Sequence, residues 1–145
     1  MPTRTARVAW NGTLQEGSGQ VELTSSKVGT FDVNFPKRAA DDAGGVTSPE
    51  ELIAAAHAAC YAMSLSNGIA QAGGTPQSLD VTADVTLGPD PAGGFRITGI
   101  KLTVEGEVDG LDADAFAQAA AAAKAGCPVS KALSGTEITL EASLA

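Results

Sequence analysis

Apolar and polar residues alternate along much of the first 35 residues of the chain. This period of two is typical of strands that bury one face. Between the first two segments stands Asn11-Gly12, a dipeptide preferred in two-residue hairpin turns. The pattern predicts an antiparallel meander of three strands, the last over residues 29–35. The apolar positions are Ala6, Val8 and Trp10, then Val21 and Leu23, then Phe31, Val33 and Phe35.

The longest segment that is both apolar and helix-prone begins at Ser48-Pro49. Ser48 is a favoured helix cap, Pro49 fits the first helical position, and the two glutamates that follow lie where the helix dipole favours negative charge. We expect this helix to end near Ala72, because Gly73-Gly74 follows. Its residues are small or apolar on every face, a pattern typical of a buried helix.

Alternation returns at Val81–Leu87 and again over residues 95–104. In the second of these segments the apolar positions change parity across Gly99. A glycine at such a change indicates a β-bulge in a long strand.

Asp112 is placed to cap a second helix, which we expect to run through Lys124. A short helical turn after Cys127 then leads to a last strand over residues 138–142. The resulting order, β-β-β-α-β-β-α-α-β, predicts one α+β domain over residues 1–145. In this domain a curved antiparallel sheet packs on two main helices.

The formal net charge is −8 and the isoelectric point lies near 4.4. Nucleic acids and anionic membranes require basic surface, so neither is expected as a partner. The first residues carry no apolar run of the kind that marks a secretory signal, and we expect a cytoplasmic protein. In that reducing compartment two cysteines are more often free thiols than a structural bridge. One histidine and two cysteines favour no metal site, and no cofactor is expected.

Local features predict different thiol pKa values for the two cysteines. Cys127 lies at the start of a predicted helical turn, where unpaired N–H groups and the dipole lower the pKa of a thiol. Cys60 lies in the middle of the long helix, where burial raises the thiol pKa unless a cation stands nearby. The candidate cations are Lys37 and Arg38, in the loop of residues 36–47. The alternative is that both cysteines are small core residues without chemistry.

Two polar residues of the long helix allow both a structural and a functional interpretation. Glu50 is by default a charge that stabilises the helix N-terminus. His57 lies one turn before Cys60 and is either a base for the thiol or a packed, hydrogen-bonded helix residue, the interpretation that we favour. Ser130 is expected to serve the short helical turn after Cys127.

Two widely separated motifs resemble those of the OsmC/Ohr family of thiol peroxidases. The first is Pro49-Glu50-Glu51-Leu52 with Ala55-Ala56-His57-Ala58-Ala59-Cys60, and the second is Ala125-Gly126-Cys127-Pro128-Val129-Ser130. The His57-Ala58-Ala59-Cys60 version and the segment Ala9-Trp10-Asn11-Gly12 are more similar to the OsmC branch. The resemblance covers essentially the whole chain.

This resemblance implies an intertwined homodimer whose subunits share sheets around two central helices. It also implies the reduction of organic hydroperoxides and, less well, of hydrogen peroxide. Matched by position, Cys60 resembles the peroxidatic cysteine and Cys127 the resolving cysteine. Glu50 and Arg38 correspond to the active-site glutamate and arginine. The implied cycle passes through a Cys60 sulfenic acid and a Cys60–Cys127 disulfide, which an external dithiol, often lipoyl-type, reduces without a metal.

The spacing within the long helix adds a separate expectation. Glu50 and Cys60 are ten residues apart, and in one straight helix this places them about 15 Å apart along the axis. Glu50 would then approach Cys60 only in a partner subunit whose helix crosses antiparallel at a two-fold axis. We therefore predict a composite site at a dimer interface.

Two other functions compete with the peroxidase. A relative of the same fold without enzymatic activity would bind an apolar ligand at the dimer interface and sense oxidation through its thiols. A purely structural dimer would carry inert cysteines. The joint presence of Cys60, Cys127, Glu50 and Arg38 favours the peroxidase, because a binding protein needs no such set.

Overall fold

A computed structural model describes all residues from Met1 to Ala145. The chain forms two compact units, Met1–Leu52 and Ile53–Ala145. The α+β class expected from the sequence is confirmed. The elements are β1 (Arg7–Asn11), β2 (Ser18–Glu22), β3 (Thr30–Val33), α1 (Phe35–Arg38), α2 (Pro49–Gln71), β4 (Thr75–Pro89), β5 (Phe95–Asp109), α3 (Ala113–Gly126), α4 (Pro128–Ala132) and β6 (Ile138–Leu144).

The first unit contains an antiparallel sheet in the order β1–β2–β3. The predicted meander is confirmed. The prediction of a two-residue hairpin turn at Asn11-Gly12 is wrong. Residues 12–17 form the connection instead. The Thr13 carbonyl accepts the Gly17 N–H at 2.7 Å, and the Thr13 hydroxyl accepts the Glu16 N–H at 3.1 Å. These bonds close a local turn and delay the return strand to Ser18.

The third strand ends earlier than predicted, because Asn34 starts the short helix α1. The Asn34 side chain accepts the Lys37 N–H at 2.9 Å, and Pro36 occupies an early helical position. The prediction of a loop over residues 36–47 is therefore wrong at its start, where α1 forms a helical turn. The turn matters for the site, because it carries Arg38.

Helix α2 begins and ends close to where the sequence predicts. Ser48 Oγ accepts the Glu51 N–H at 3.1 Å, which satisfies one of the free donors of the first turn. At the other end Gly73 has φ of +90°, and the Gly74 N–H donates to the Ile69 carbonyl at 3.0 Å. A left-handed glycine with such a bond is a common helix stop.

Within the single chain only one stripe of α2 is buried along its length, so the other faces of the helix are open to solvent or to a partner subunit. Tyr61, Leu65 and Ile69, spaced by four residues, are fully buried, whereas Met63 is 73% exposed. By length and composition alone this helix could also cross a membrane. Core helices of soluble proteins share that property, so the observation decides little.

The second unit contains a sheet in the order β4–β5–β6. The bulge predicted near Gly99 is confirmed: the register passes from Thr86–Gly99 to Leu87–Ile97 and leaves Thr98 without a partner residue. The last strand departs from the antiparallel expectation, because β6 runs parallel to β5. Helices α3 and α4 lie between these two strands, and such a crossover returns the chain in the same direction.

Buried residues of α2, β5 and α3, together with the residue after α3, form the core of the second unit. They are Tyr61, Leu65, Ile69, Leu102, Val104, Phe116, Ala120, Ala123 and Cys127. The Tyr61 hydroxyl donates to the Ala120 carbonyl at 3.0 Å, so this buried polar atom has a partner. Cys127 is therefore a core residue of the crossover between β5 and β6.

Two glycines of β5 provide a test of this packing. A Cβ at Gly106 would lie 3.0 Å from the buried Phe116 ring, whereas a Cβ at Gly99 would meet only the Glu137 carbonyl at 3.9 Å. We expect Gly106→Ala to lower the free energy of unfolding by about 1–3 kcal/mol, because a packed ring has no room to move. Gly99→Ala is the control and should change it by less than about 1 kcal/mol. Urea unfolding followed by circular dichroism measures both, and equal effects would contradict the packing.

Candidate functional site

The structure brings the two cysteines together. Cys60 lies on α2, immediately before the buried Tyr61, and Cys127 lies between α3 and α4. Their sulfur atoms are 3.0 Å apart, and both thiols are free. Cys127 is fully buried, whereas Cys60 is partly exposed. A disulfide between them therefore requires only a small approach of two side chains.

The backbone around Cys127 fixes its position. The Cys127 N–H donates to the Ala123 carbonyl at 2.9 Å, as the last bond of α3. Pro128 then occupies the first position of α4, where its fixed φ suits a helix and its missing N–H costs nothing. The cysteine thus stands at a junction of two helices.

The two thiols have opposite pKa shifts. Burial raises the pKa of Cys60, and the hydrogen bond with Cys127 raises it further. Burial also raises the pKa of Cys127, but hydrogen bonds from Cys60, Ser130 and the Val129 backbone outweigh it, so the pKa of this thiol lies below its ordinary value. In the hydrogen bond between them, Cys127 Sγ donates to Cys60 Sγ at 3.0 Å.

His57 and Ser130 extend this arrangement into the interior. His57 Nε2 lies 2.7 Å from Ser130 Oγ, and both residues are buried. Burial lowers the pKa of His57, which favours the neutral imidazole. Its other ring nitrogen, Nδ1, has no hydrogen-bond partner. The expectation of a packed, hydrogen-bonded histidine therefore fits better than that of a base in contact with Cys60.

Sequence reasoning missed Ser130 as a neighbour of the thiols. Ser130 lies in α4, on the helical turn that Cys127 begins, and its hydroxyl is 2.7 Å from His57 Nε2. One signal was present: Ser130 stands three positions after Cys127, and in a helical turn residues at this spacing share a face. The long-range contact with His57, by contrast, joins residues 73 positions apart and has no local signature.

Arg38 and Glu50 form the second cluster of predicted site residues, within the first unit. Arg38 Nε donates to Glu50 Oε1 at 2.8 Å, and Nη2 donates to Oε2 at 2.9 Å. These hydrogen bonds raise the pKa of Arg38 above its already high ordinary value. Glu50 is buried, and the Arg38 side chain keeps 33% of its surface exposed. Such a two-point pair fixes the plane of the guanidinium as well as its position.

An apolar groove of about 300 Å³ borders this ion pair in the first unit. Val8, Trp10, Val21 and Leu52 are among its lining residues, and Arg38 is the only charged one. A groove of this composition suits an alkyl or aryl group that carries one polar end.

Sequence comparison relates the chain to a known protein family. Residues 41–142 match the family described as OsmC: OsmC-like protein. The chain is 46% identical over 132 residues to peroxiredoxin OsmC of Escherichia coli (strain K12), covering 91% of this chain and 90% of that protein. It is 35% identical over 122 residues to organic hydroperoxide resistance protein OhrA of Bacillus subtilis (strain 168), covering 82% and 84%.

Structure comparison leads to the same group of proteins. The crystal structure of the organic hydroperoxide resistance protein OhrB of Bacillus subtilis superposes with a TM-score of 0.73 at 30% identity, covering 97% of this chain and 98% of that one. An OsmC-like protein of Vibrio cholerae shares the fold with a TM-score of 0.75 at 17% identity. The matched family residues and the identity to the curated relatives together establish that this chain belongs to the OsmC-like protein family.

Proposed function

We propose that the protein is a thiol-dependent peroxidase that reduces organic hydroperoxides, and hydrogen peroxide less well, to alcohols and water. The observation that carries this proposal is the pair of free thiols, Cys60 and Cys127, with sulfur atoms 3.0 Å apart. The relatives named peroxiredoxin OsmC and organic hydroperoxide resistance protein support it. The pair can supply the two electrons that cleavage of one O–O bond requires.

The first step uses the hydrogen bond between the sulfurs. Cys60 loses its proton to solvent and reacts as the thiolate, to which the Cys127 thiol donates, because only a thiolate attacks at a useful rate. Cys60 Sγ attacks the terminal oxygen of the hydroperoxide, the O–O bond breaks, and an alkoxide leaves. The Cys127 thiol protonates that alkoxide. The products are Cys60 sulfenic acid, an alcohol and a Cys127 thiolate.

The second step closes the disulfide. The Cys127 thiolate attacks the sulfenic sulfur, an S–S bond forms, and hydroxide leaves to take up a proton as water. An external dithiol, with a lipoyl-type compound as the proposed reductant, then exchanges with the disulfide and restores both thiols. A leaving thiol with a lowered pKa departs faster, so the properties of Cys127 also favour this exchange. The cycle uses no metal or cofactor.

Arg38 and Glu50 are proposed to bind and orient the hydroperoxide. Both carboxylate oxygens of Glu50 hold the guanidinium, so the remaining N–H donors of Arg38 point in fixed directions. A fixed cation stabilises the Cys60 thiolate and the alkoxide that develops during attack. The apolar groove beside Arg38 would receive the organic part of the substrate.

We propose further that the active protein is a homodimer with composite sites. In α2, Glu50 and Cys60 are ten residues apart, which corresponds to about 15 Å along a straight helix. Because Arg38 is bonded to Glu50, the two residues act as one group and approach the same cysteine. In a two-fold dimer that cysteine is Cys60 of the partner subunit. The exposed face of α2 around Met63 would be covered in such an assembly.

The remaining expectations from sequence also stand as proposals. Residues 1–145 are proposed to act as one OsmC-like domain. The protein is proposed to be soluble and cytoplasmic, where reducing conditions keep both thiols in the form seen here. Neither nucleic acid nor a membrane is proposed as a partner.

A single-turnover experiment tests the cysteine chemistry. One equivalent of tert-butyl hydroperoxide should remove both thiols of the reduced protein and form a Cys60–Cys127 disulfide, measured by thiol titration and mass spectrometry. Cys60→Ser should abolish hydroperoxide consumption, because no other free thiol is exposed to the solvent. Cys127→Ser should still consume the peroxide but stop at a sulfenic acid, which a dimedone probe traps.

The same experiment separates the peroxidase from the other functions. A protein that binds apolar ligands without turnover would leave the hydroperoxide intact while taking up an apolar dye. A Cys60 that remains titratable after excess hydroperoxide would refute the proposed function.

Mixing two defective variants tests the composite site. Arg38→Ala and Cys60→Ser homodimers should each lack activity. If Arg38 serves the partner's Cys60, a mixed dimer contains one intact site and one doubly defective site. Unfolding, mixing and refolding the two variants in equal amounts should then restore about one quarter of the activity per subunit, since half of the dimers are mixed.

The matched control refolds each variant alone. If Arg38 and Cys60 of one subunit form a site, every site in the mixed dimer is defective. Absence of any recovery, in a sample shown by native mass spectrometry to contain mixed dimers, would therefore rule out the composite arrangement.

A conservative substitution tests the role of the two-point ion pair. Arg38→Lys keeps the positive charge but cannot donate to both Glu50 oxygens in the same plane. We expect kcat/KM for tert-butyl hydroperoxide to fall by about 10- to 100-fold, because the reacting groups lose their fixed orientation. Steady-state kinetics with a dithiol reductant measures this change, and an unchanged kcat/KM would contradict an orienting role.

A further inference from the structure

Two contacts join helix α2 to the segment that begins at Cys127. Cys127 Sγ lies 3.0 Å from Cys60 Sγ, and His57 Nε2 lies 2.7 Å from Ser130 Oγ. The second contact stands three positions before Cys60 on α2 and three positions after Cys127 on α4. Residues at this spacing share one face of a helix, so the two contacts lie one helical turn apart between the same two faces. The cycle described so far uses only the contact between the sulfurs.

The helix that follows Cys127 depends on its surroundings for its position. Helix α4 has only five residues, and Ser130, in its middle, is the only buried one. A helix this short is not stable by itself, so tertiary contacts must hold it in place. Val129 is partly buried against the core and provides an apolar contact. The hydrogen bond between Ser130 and His57 joins the middle of α4 to α2.

The His57–Ser130 contact restrains geometry more tightly than apolar packing does. Both side chains are enclosed, since His57 has no exposed surface and Ser130 has 6%. Apolar burial is non-directional, whereas a hydrogen bond requires a short distance and a favourable angle. The contact also leaves His57 Nδ1 buried without a partner, which is unfavourable. Two apolar residues of the same shape would give similar stability, so stability alone does not explain this pair.

We propose that His57 and Ser130 are positioning residues whose hydrogen bond holds α4 against α2, so that Cys127 Sγ stays within reach of Cys60 Sγ while the disulfide forms. The two sulfurs must approach from 3.0 Å to about 2.0 Å in the disulfide. The catalytic consequence rests on the proposed function, in which the Cys127 thiolate attacks the sulfenic sulfur, the S–S bond forms and hydroxide leaves. The positional effect itself concerns disulfide formation and needs no peroxide.

The quantity that the hydrogen bond controls is the effective concentration of Cys127 at Cys60. A group held in its reacting geometry behaves as if it were highly concentrated, and loss of orientation lowers that concentration. The net contribution of one hydrogen bond corresponds to roughly a fivefold to tenfold change in an equilibrium. Without the bond, the reduced protein would gain freedom in α4, and the disulfide would become easier to reduce.

Equilibration with reduced and oxidised glutathione measures this effect in the full-length protein. The fraction of Cys60–Cys127 disulfide is determined by alkylation and mass spectrometry over a series of glutathione ratios at one pH. Ser130→Ala and His57→Leu should each lower the effective concentration about fivefold to tenfold, which raises the reduction potential by about 20–30 mV. The double variant should show the same shift as either single variant, because both residues act through one bond.

Two matched controls separate positioning from a general loss of stability. His57→Gln keeps a side-chain N–H donor for Ser130 and should return the potential close to that of the parent protein. The Tyr61 hydroxyl donates to the Ala120 carbonyl at 3.0 Å. Tyr61→Phe therefore removes a buried hydrogen bond that joins α2 to α3 rather than to α4, and it should leave the potential unchanged. Urea unfolding of every variant measures the accompanying loss of stability.

Several outcomes would overturn the proposal. An unchanged potential in folded Ser130→Ala would mean that the contact only satisfies two buried polar groups. An equal shift in Tyr61→Phe would mean that any weakening of the core alters the potential, and additive shifts in the double variant would mean that the two residues act separately. If His57→Leu does not fold, as judged by circular dichroism, Ser130→Ala and His57→Gln decide the outcome, because only the first should raise the potential.

A kinetic measurement extends the test to the cycle. After one equivalent of tert-butyl hydroperoxide, Ser130→Ala should close the disulfide about fivefold to tenfold more slowly relative to the oxidation of Cys60, so that dimedone traps more sulfenic acid. The ratio of the two rates is compared because Cys127 also donates to Cys60 before the attack. An unchanged ratio would contradict the positioning role.

The two experiments distinguish the positioning role from the proposed function. A parent protein that forms the Cys60–Cys127 disulfide with glutathione but consumes no hydroperoxide would refute the peroxidase and leave the positioning role to the potentials of the variants. A parent protein that forms no such disulfide with glutathione would overturn the positioning role.

Discussion

The contact between two sulfur atoms from distant parts of the chain is the interaction on which the proposed chemistry of this protein depends. Cys60 and Cys127 are 67 positions apart, yet their sulfurs lie within 3.0 Å. The core holds them there, because Tyr61 follows Cys60 directly and packs in the same cluster as Cys127. At this distance the two sulfurs form a hydrogen bond, so ionisation of one thiol depends on the state of the other.

The ion pair of the first unit follows a different physical rule. Glu50 is buried, and a buried carboxylate is strongly unfavourable without a partner of opposite charge. The two-point bond from Arg38 provides that partner, so the position of the cation is tied to the fold of the loop that carries it. The short helix α1, capped by Asn34, fixes this loop. The guanidinium, for which we propose a role in thiolate stabilisation, is thus itself held by a carboxylate, and this bond restricts where Arg38 can act.

The sequence predicted the elements well, because most of their signals are local. Caps, glycine stops and alternation define α2, β4 and the bulge near Gly99 within a few residues. The errors arose where local signals compete or where the partner is remote. Asn11-Gly12 has the composition of a two-residue turn. The hydrogen bonds that Thr13 accepts from Glu16 and Gly17 form a longer turn instead. The parallel pairing of β6 and the contact of His57 with Ser130 depend on tertiary packing, so no local sequence pattern predicts them.

The separation of the two cysteines along the chain has a consequence for the folded state as a whole. A disulfide between residues 67 positions apart closes a large loop. In the chain-entropy model, the lost conformational entropy of the unfolded chain raises the free energy of unfolding by about 4 kcal/mol. Oxidation would therefore make the molecule harder to unfold and digest, and reduction would loosen it again. Resistance to proteolysis would therefore depend on the redox state of the protein, because the disulfide changes the stability of the whole fold rather than of one side chain.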